Sequence, residues 1–154
     1  MAILVLISGS NNSGKSIYAE QLIAKITGAR YYIATMLPCT EDNHRRIEKH
    51  RVQRQGLGFD TIECPYQVGN ALVSSGGVVL LEDVSNLLAN VMFEKGGDPD
   101  SVLHDICVLA DRCKILVAVT ISDLKDDGYD EETVAYINGL NKINQKLFDK
   151  ASVA

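Results

Sequence analysis

The sequence predicts an α/β fold, a mostly parallel sheet of about five strands with helices on both faces. Three observations carry that reading. Five short runs rich in Ile, Val, Leu, Tyr and Phe are separated by segments with helical patterning, and such alternation calls for right-handed crossovers between parallel strands. Several of these runs are apolar throughout, as strands covered on both sides are. The chain's 154 residues, 46% apolar and 23% charged, suit one domain with a sizeable core, so residues 1–154 are read as a single unit.

Taken in order, residues 2–8 form the first strand, whose unbroken apolar character places it centrally in the sheet. A helix over 16–26 follows, then a strand over 31–34 (YYIA) and a helix over 41–55. The next strand covers 59–63 (FDTIE), with a short helix over 67–73 behind it. Residues 78–81 (VVLL) make the fourth strand and lead into a helix over 84–93. The cluster EKGGDPDS at 94–101 is the clearest turn, and a helix over 101–110 precedes the fifth strand at 115–120 (ILVAVT). The acidic, glycine-containing stretch 122–132 reads as an exposed, mobile loop. A last helix over about 131–150 carries Val134, Ile137, Leu140, Ile143 and Leu147 at helical spacing, a stripe that packs on the sheet.

A net charge of −5 argues against a nucleic-acid binder, which needs a basic stripe to displace counterions. Anionic ligands must then be held by local features. Cys39, Cys64, Cys107 and Cys113 form no CxxC pair and no zinc-like grouping with the histidines, so they read as reduced thiols, mostly packing residues. No apolar window reaches the length of a membrane-spanning helix, and the N-terminal run lacks the basic flank and cleavage pattern of a signal peptide. The expected location is the cytoplasm, with no membrane span.

Residues 9–16, GSNNSGKS, satisfy GxxxxGK[ST] between an apolar strand and a helix, the context that motif requires. This pattern predicts a P-loop NTPase-type domain. Gly9 and Gly14 let the backbone wrap closely round phosphates, while the amides of Ser10, Asn11, Asn12 and Ser13 and the helix N-terminus supply positive potential. Lys15 is expected to reach the β/γ-phosphates of ATP or GTP, and the Ser16 hydroxyl to ligate Mg²⁺. Such sites also need a carboxylate at the end of another core strand. Glu82 ends the VVLL run and is the metal-side candidate, whereas Asp83 reads as the cap of the helix that begins at Val84.

A third feature is the segment HRRIEKHRVQR. On a helix Arg46, His50 and Arg54 recur at i, i+4 and i+8 and share one face. Positive neighbours disfavour imidazolium, so His50 is held neutral and nucleophilic, while guanidinium groups suit phosphate. Spacing alone equally fits a solvated charged face.

These three pieces together resemble the adenosylcobinamide kinase/adenosylcobinamide-phosphate guanylyltransferase family of cobalamin biosynthesis, over roughly residues 3–147. ILVLISGSNNSGKSIYAEQLI is similar to the family's opening strand, loop and first helix, including the Ala19-Glu20 pair, and YYIAT to its second strand. RIEKHRVQR, LLEDVSNLLANVMF and NGLNKINQKLFDKA, the last with Asn144 and Gln145, are similar to its histidine segment, its acidic strand end and its late helix. The resemblance implies a protein that phosphorylates the aminopropanol hydroxyl of adenosylcobinamide and then transfers GMP from GTP to that phosphate through a guanylylated histidine. It makes His50 the GMP acceptor and a catalytic residue with Lys15, places Arg46 and Arg54 near nucleotide, and Ser16 and Glu82 at Mg²⁺. It also implies a corrinoid partner and a homo-oligomer.

Two departures stand out. Ile121 and Ser122 occupy the place of the family's asparagine-glutamate pair after the fifth strand, and the chain stops at DKASVA where the family continues into a final apolar strand. If those parts build the corrinoid or second-nucleotide site, one of the two activities is weakened or lost. The alternatives are a P-loop kinase or NTPase with another small acceptor, and a catalytically reduced, nucleotide-binding regulatory paralogue.

Overall fold

A computed structural model describes residues 3–10, 14–37, 40–122, 124–125 and 128–152. In chain order the elements are β1 (Ile3–Gly9), α1 (Lys15–Ile23), β2 (Arg30–Ala34), α2 (Glu41–Gln53), β3 (Phe59–Glu63), β4 (Val78–Glu82), α3 (Val84–Ala89), α4 (Pro99–Asp111), β5 (Ile115–Ile121) and α5 (Glu131–Lys150). The five strands form one parallel sheet in the order β1-β5-β4-β2-β3. The predicted α/β class and strand count are therefore what the protein has.

Alternate residues of the strands feed two cores. Leu4, Leu6, Ile33, Val79, Leu81, Leu116 and Ala118 face the side covered by α3, α4 and α5, where Leu87, Leu88, Ile106, Leu109, Leu140 and Leu147 meet them. Tyr32, Val78, Leu80, Val117 and Val119 face the other side, where α1 supplies Ala19 and Ile23. Burial on both faces explains the continuous apolar runs. Helix α5 approaches α4 closely at Gly139, where a Cβ would lie 2.6 Å from Pro99 Cγ.

The expected central position of the first strand is corrected: among the described residues β1 pairs with β5 alone and lies at the sheet's edge. Its apolar character records cover from helices on both faces, which says nothing about how many neighbours its backbone bonds. On the open side the Ser152 amide donates to Leu4 O at 2.8 Å.

The helix expected over 67–73 is corrected as well. Only Val68–Asn70 turns, as a single 3₁₀ unit. Backbone groups that a helix would satisfy internally go to α4 and its C-terminal cap instead: Gly69 N donates to Asp105 Oδ1, and the Arg112 guanidinium donates to Gly69 O and Ala71 O. Smaller shifts have local causes. The helix after β4 widens to a π-helical turn over Asn90–Glu94, and α4 starts at Pro99 because Asp98 caps it through Ser101 N at 2.8 Å. Of the acidic stretch 122–132, Asp123, Asp126 and Asp127 lie outside the described residues, and α5 begins at Glu131.

Candidate active site

Because all strands run the same way, Gly9, Ala34, Glu82 and Ile121 end on one side of the sheet, where open α/β sheets place their ligand crevice. The GxxxxGKS loop leaves β1 there. Asn11, Asn12 and Ser13 lie outside the described residues. Gly14 caps α1 in the left-handed region, φ 86°, which explains a glycine at that point. Lys15 Nζ reaches back across the loop to Ser10 O at 2.6 Å.

Ser16, on the first turn of α1, is the centre of a small polar knot. Its hydroxyl donates to Glu20 Oε2 at 3.0 Å, one turn along the helix, and accepts from Gln53 Nε2 at 2.8 Å. Gln53 Nε2 also donates to Glu20 Oε2. Glu20 is buried, and neither it nor Gln53 was among the residues that the sequence motifs assigned to the site. Their helical offsets, four after Ser16 and three after His50, were visible; the meeting of α1 with α2 was not.

Opposite, Glu82 ends β4 with its side chain only 9% exposed. Burial and the neighbouring Asp83 charge push its carboxyl up to about 8, against a partial pull downward from the Ser16 hydroxyl. Asp83 is the cap of α3, accepting from Asn86 N at 2.7 Å, as its sequence position suggests. Thr35 holds the Glu82–Asp83 turn in place: its amide donates to Glu82 O and its hydroxyl accepts from Asp83 N at 3.0 Å. Asn90 in turn secures Thr35 by donating to its carbonyl at 2.6 Å.

Helix α2 forms the remaining wall. Arg46, His50 and Arg54 do share a face, but their surroundings differ. Arg46 is exposed at the cavity rim. Arg54 is buried, its guanidinium 3.7 Å from the centroid of the Tyr32 ring and donating to Thr61 Oγ1 at 3.1 Å. It thus anchors the helix end to β2 and β3. His50 turns Nδ1 toward Tyr32 Oη at 3.4 Å and Glu82 Oε1 at 3.6 Å. Burial first, then the charges of Arg46 and Arg54, lower its pKa below the ordinary histidine value. The His50–Glu82 approach is therefore between a neutral imidazole and a carboxyl group with a raised pKa, and not a formed ion pair.

The loop and the histidine open into one space. A cavity of about 230 Å³ is lined by Lys15 and Ser16, by Arg46, Lys49, His50 and Gln53, by Glu82 and Asp83, and by Val119 and Ile121 of β5. A second, smaller recess behind it, lined by Tyr32, Met36, Arg46, His50, Arg54 and Asn86, is where Arg54 lies.

Glu20 Oε1 and Glu82 Oε2 are the buried side-chain oxygens without a hydrogen-bond partner among the described residues. Both flank Ser16. Of the two residues, Glu82 belongs to the cavity wall, and an unsatisfied hard oxygen there beside the Ser16 hydroxyl fits Mg²⁺, which is held by one or two carboxylates with phosphate and water completing the shell. Among the described residues no three His, Cys, Asp or Glu side chains converge into a closed metal cage, in keeping with an open site of that kind.

Residues 5–153 match the family described as cobinamide kinase / cobinamide phosphate guanyltransferase. The chain belongs to this family. It is similar to the bifunctional adenosylcobalamin biosynthesis protein CobU of Escherichia coli K12, 34% identical over 101 residues that make up 64% of this chain and 55% of that protein. It is also similar to the protein of the same name from Salmonella typhimurium LT2, 28% identical over 123 residues, 75% of this chain and 67% of the relative. The match thus spans little more than half the length of the first relative.

Beyond the cavity, Asn144 on α5 accepts from Thr120 Oγ1 at 2.7 Å and donates to Ile121 O at 2.9 Å, so this residue of the late helix steadies the end of β5. Gln145 donates to Asp149 on the same helix.

Proposed function

We propose that this chain, as one nucleotide-binding domain, phosphorylates adenosylcobinamide with a nucleoside triphosphate and transfers GMP from GTP to the resulting phosphate by way of His50. The observation that carries this reading is the shared cavity: Lys15 and Ser16 of the phosphate loop, Glu82 of β4 and His50 of α2 line the same space. Membership of the family gives the acceptor class.

In the kinase step the loop amides and Lys15 hold the β- and γ-phosphates, and the acceptor hydroxyl attacks the γ-phosphorus with release of nucleoside diphosphate. Ser16 and Glu82 would hold Mg²⁺, which would supply charge neutralisation on the phosphates. In the nucleotidyl step His50 attacks the α-phosphorus of GTP, pyrophosphate leaves, and the phosphate of the acceptor then displaces the histidine. With Nδ1 turned to Tyr32 and Glu82, Nε2 is the ring nitrogen left to react. Its neutrality is a property of the burial and of Arg46 and Arg54 beside it. Arg46 at the rim is the guanidinium free to meet phosphate, and Arg54 acts through Tyr32.

The test is mass spectrometry of products from adenosylcobinamide, ATP, GTP and Mg²⁺. His50→Ala should abolish corrinoid carrying GDP while phosphorylated corrinoid still accumulates. Undiminished GMP transfer by that variant overturns the assignment of His50; nucleotide turnover with unchanged corrinoid moves the acceptor to another small molecule.

A further inference from the structure

We infer that Glu20 and Gln53 are positioning residues that fix the rotor of the Ser16 hydroxyl, so that one oxygen lone pair faces the cation position in the phosphate-loop cavity. The inference rests on the nucleotide–metal reading of Ser16 given above and adds two residues to it.

A serine hydroxyl has one proton to give and two lone pairs to offer. Left to itself it rotates, and its proton points as readily at a metal ion as away from it. Here both competing directions are taken. The proton goes to Glu20 Oε2, 3.0 Å away, and one lone pair receives the Gln53 amide at 2.8 Å. One lone pair remains, and the hydroxyl belongs to the wall that also carries Glu82. Glu20 competes with Glu82 for that single proton, and among the described residues the second oxygen of Glu82 stays unpartnered. Glu20 is buried, the donors it meets among the described residues are those of the knot, and Gln53 bonds both Ser16 and Glu20 at once.

Gln53 carries a second consequence. It lies one turn beyond His50 on α2, a helix none of whose residues is fully buried. Its amide is a direct link from that helix to the phosphate loop, so the same hydrogen bond that sets Ser16 also registers His50 against the metal position. Outer partners of this sort change metal affinity by about 10- to 100-fold when removed.

The experiment titrates Mn²⁺ into the full chain with the β,γ-imido analogue of GTP, following loss of the free-ion signal by electron paramagnetic resonance. Gln53→Met and Glu20→Met keep length and remove the polar partner; each should weaken Mn²⁺ binding about tenfold. Glu20→Gln keeps an acceptor for the Ser16 proton and should restore most of that loss. Analogue affinity measured in EDTA should stay within about twofold, a split that general loosening of the domain would not produce. Wild-type Mn²⁺ affinity in both methionine variants overturns the inference. Should Glu20→Met fail to fold, the half-exposed Gln53→Met decides alone. Ser16→Ala separates the two levels: if it weakens Mn²⁺ while the methionine variants do not, only the positioning role falls. If Ser16→Ala has no effect, or the unmodified chain binds no Mn²⁺ with the analogue, the metal reading of Ser16 falls and takes this inference with it.

Discussion

Helix α5 buries Ile137, Leu140, Ile143 and Leu147 in the core beneath the sheet, whereas α2, two thirds as long, buries none of its residues. What holds α2 is a set of directed contacts: Gln53 to Ser16 and Glu20, the Arg54 cap on Tyr32 and Thr61, and His50 beside Tyr32 and Glu82. Apolar burial is non-directional and summed over area, so α5 can be secured without fixing any one atom. Hydrogen bonds and cation–π contacts add little net stability each, but they set distances and angles. The helix that carries His50 is thus oriented by its attachments, while α5 supplies cohesion.

This contrast can be broken or sharpened by substitution. The largest effect is expected in the core: Leu140→Ala should lower unfolding free energy by about 2–5 kcal/mol in a urea titration, with activity per folded molecule retained. A loss under about 1 kcal/mol would show that α5 is not the scaffold element described. Next comes Arg54→Met, which removes the stacked cation and its hydrogen bond yet keeps the apolar stem; about 1–2 kcal/mol should be lost, with a larger proportional fall in GMP transfer than in phosphorylation. Equal falls in both steps would deny that Arg54 acts through the His50 helix.

A third, smaller effect separates the regions by pH. The Cys113 thiol is packed among the residues beneath the sheet, and burial raises its pKa to about 11 from an unfolded value near 9. The folded state therefore holds that proton more tightly, and its contribution is complete below pH 9 and lost as pH rises toward 11. Cys113→Val should make the stability curve fall less steeply across that window, with the site wall unaffected. Identical slopes would sink the expectation. Smallest of all, Arg46→Gln removes a positive neighbour of His50, so the acid limb of the guanylylation rate should move to higher pH without change in stability. A limb that stays put would leave burial and Arg54, without Arg46, as the causes of the neutral imidazole.

Much of the scaffold was legible because its signals are local. The stripe on α5, the β3 run and the cap at Asp83 each lie within a few residues of the structure they make. The shared face of Arg46, His50 and Arg54 was legible for the same reason. What could not be read depends on residues far apart. Nothing near Gly69 reveals that Asp105 and Arg112 will take its backbone groups, nothing in an apolar run states how many strands will bond it, and nothing near Arg54 shows that Tyr32 and Thr61 will lie beside it. The link between Gln53 and Ser16 crosses 37 positions and has no sequence pattern of its own.

The pairing of β1 with β5 brings Ile3 beside Ile115 and has a kinetic meaning. A contact spanning over a hundred residues carries a closure entropy of about 4 kcal/mol, and topologies rich in such contacts fold slowly. β1 precedes β5 by more than a hundred residues and, among the described residues, pairs with no other strand, so during synthesis it waits for β5 before that pairing forms. The phosphate loop hangs from the end of β1. On the proposed function, a stalled nascent chain lacking β5 should retain no triphosphate, however well its other strands have paired.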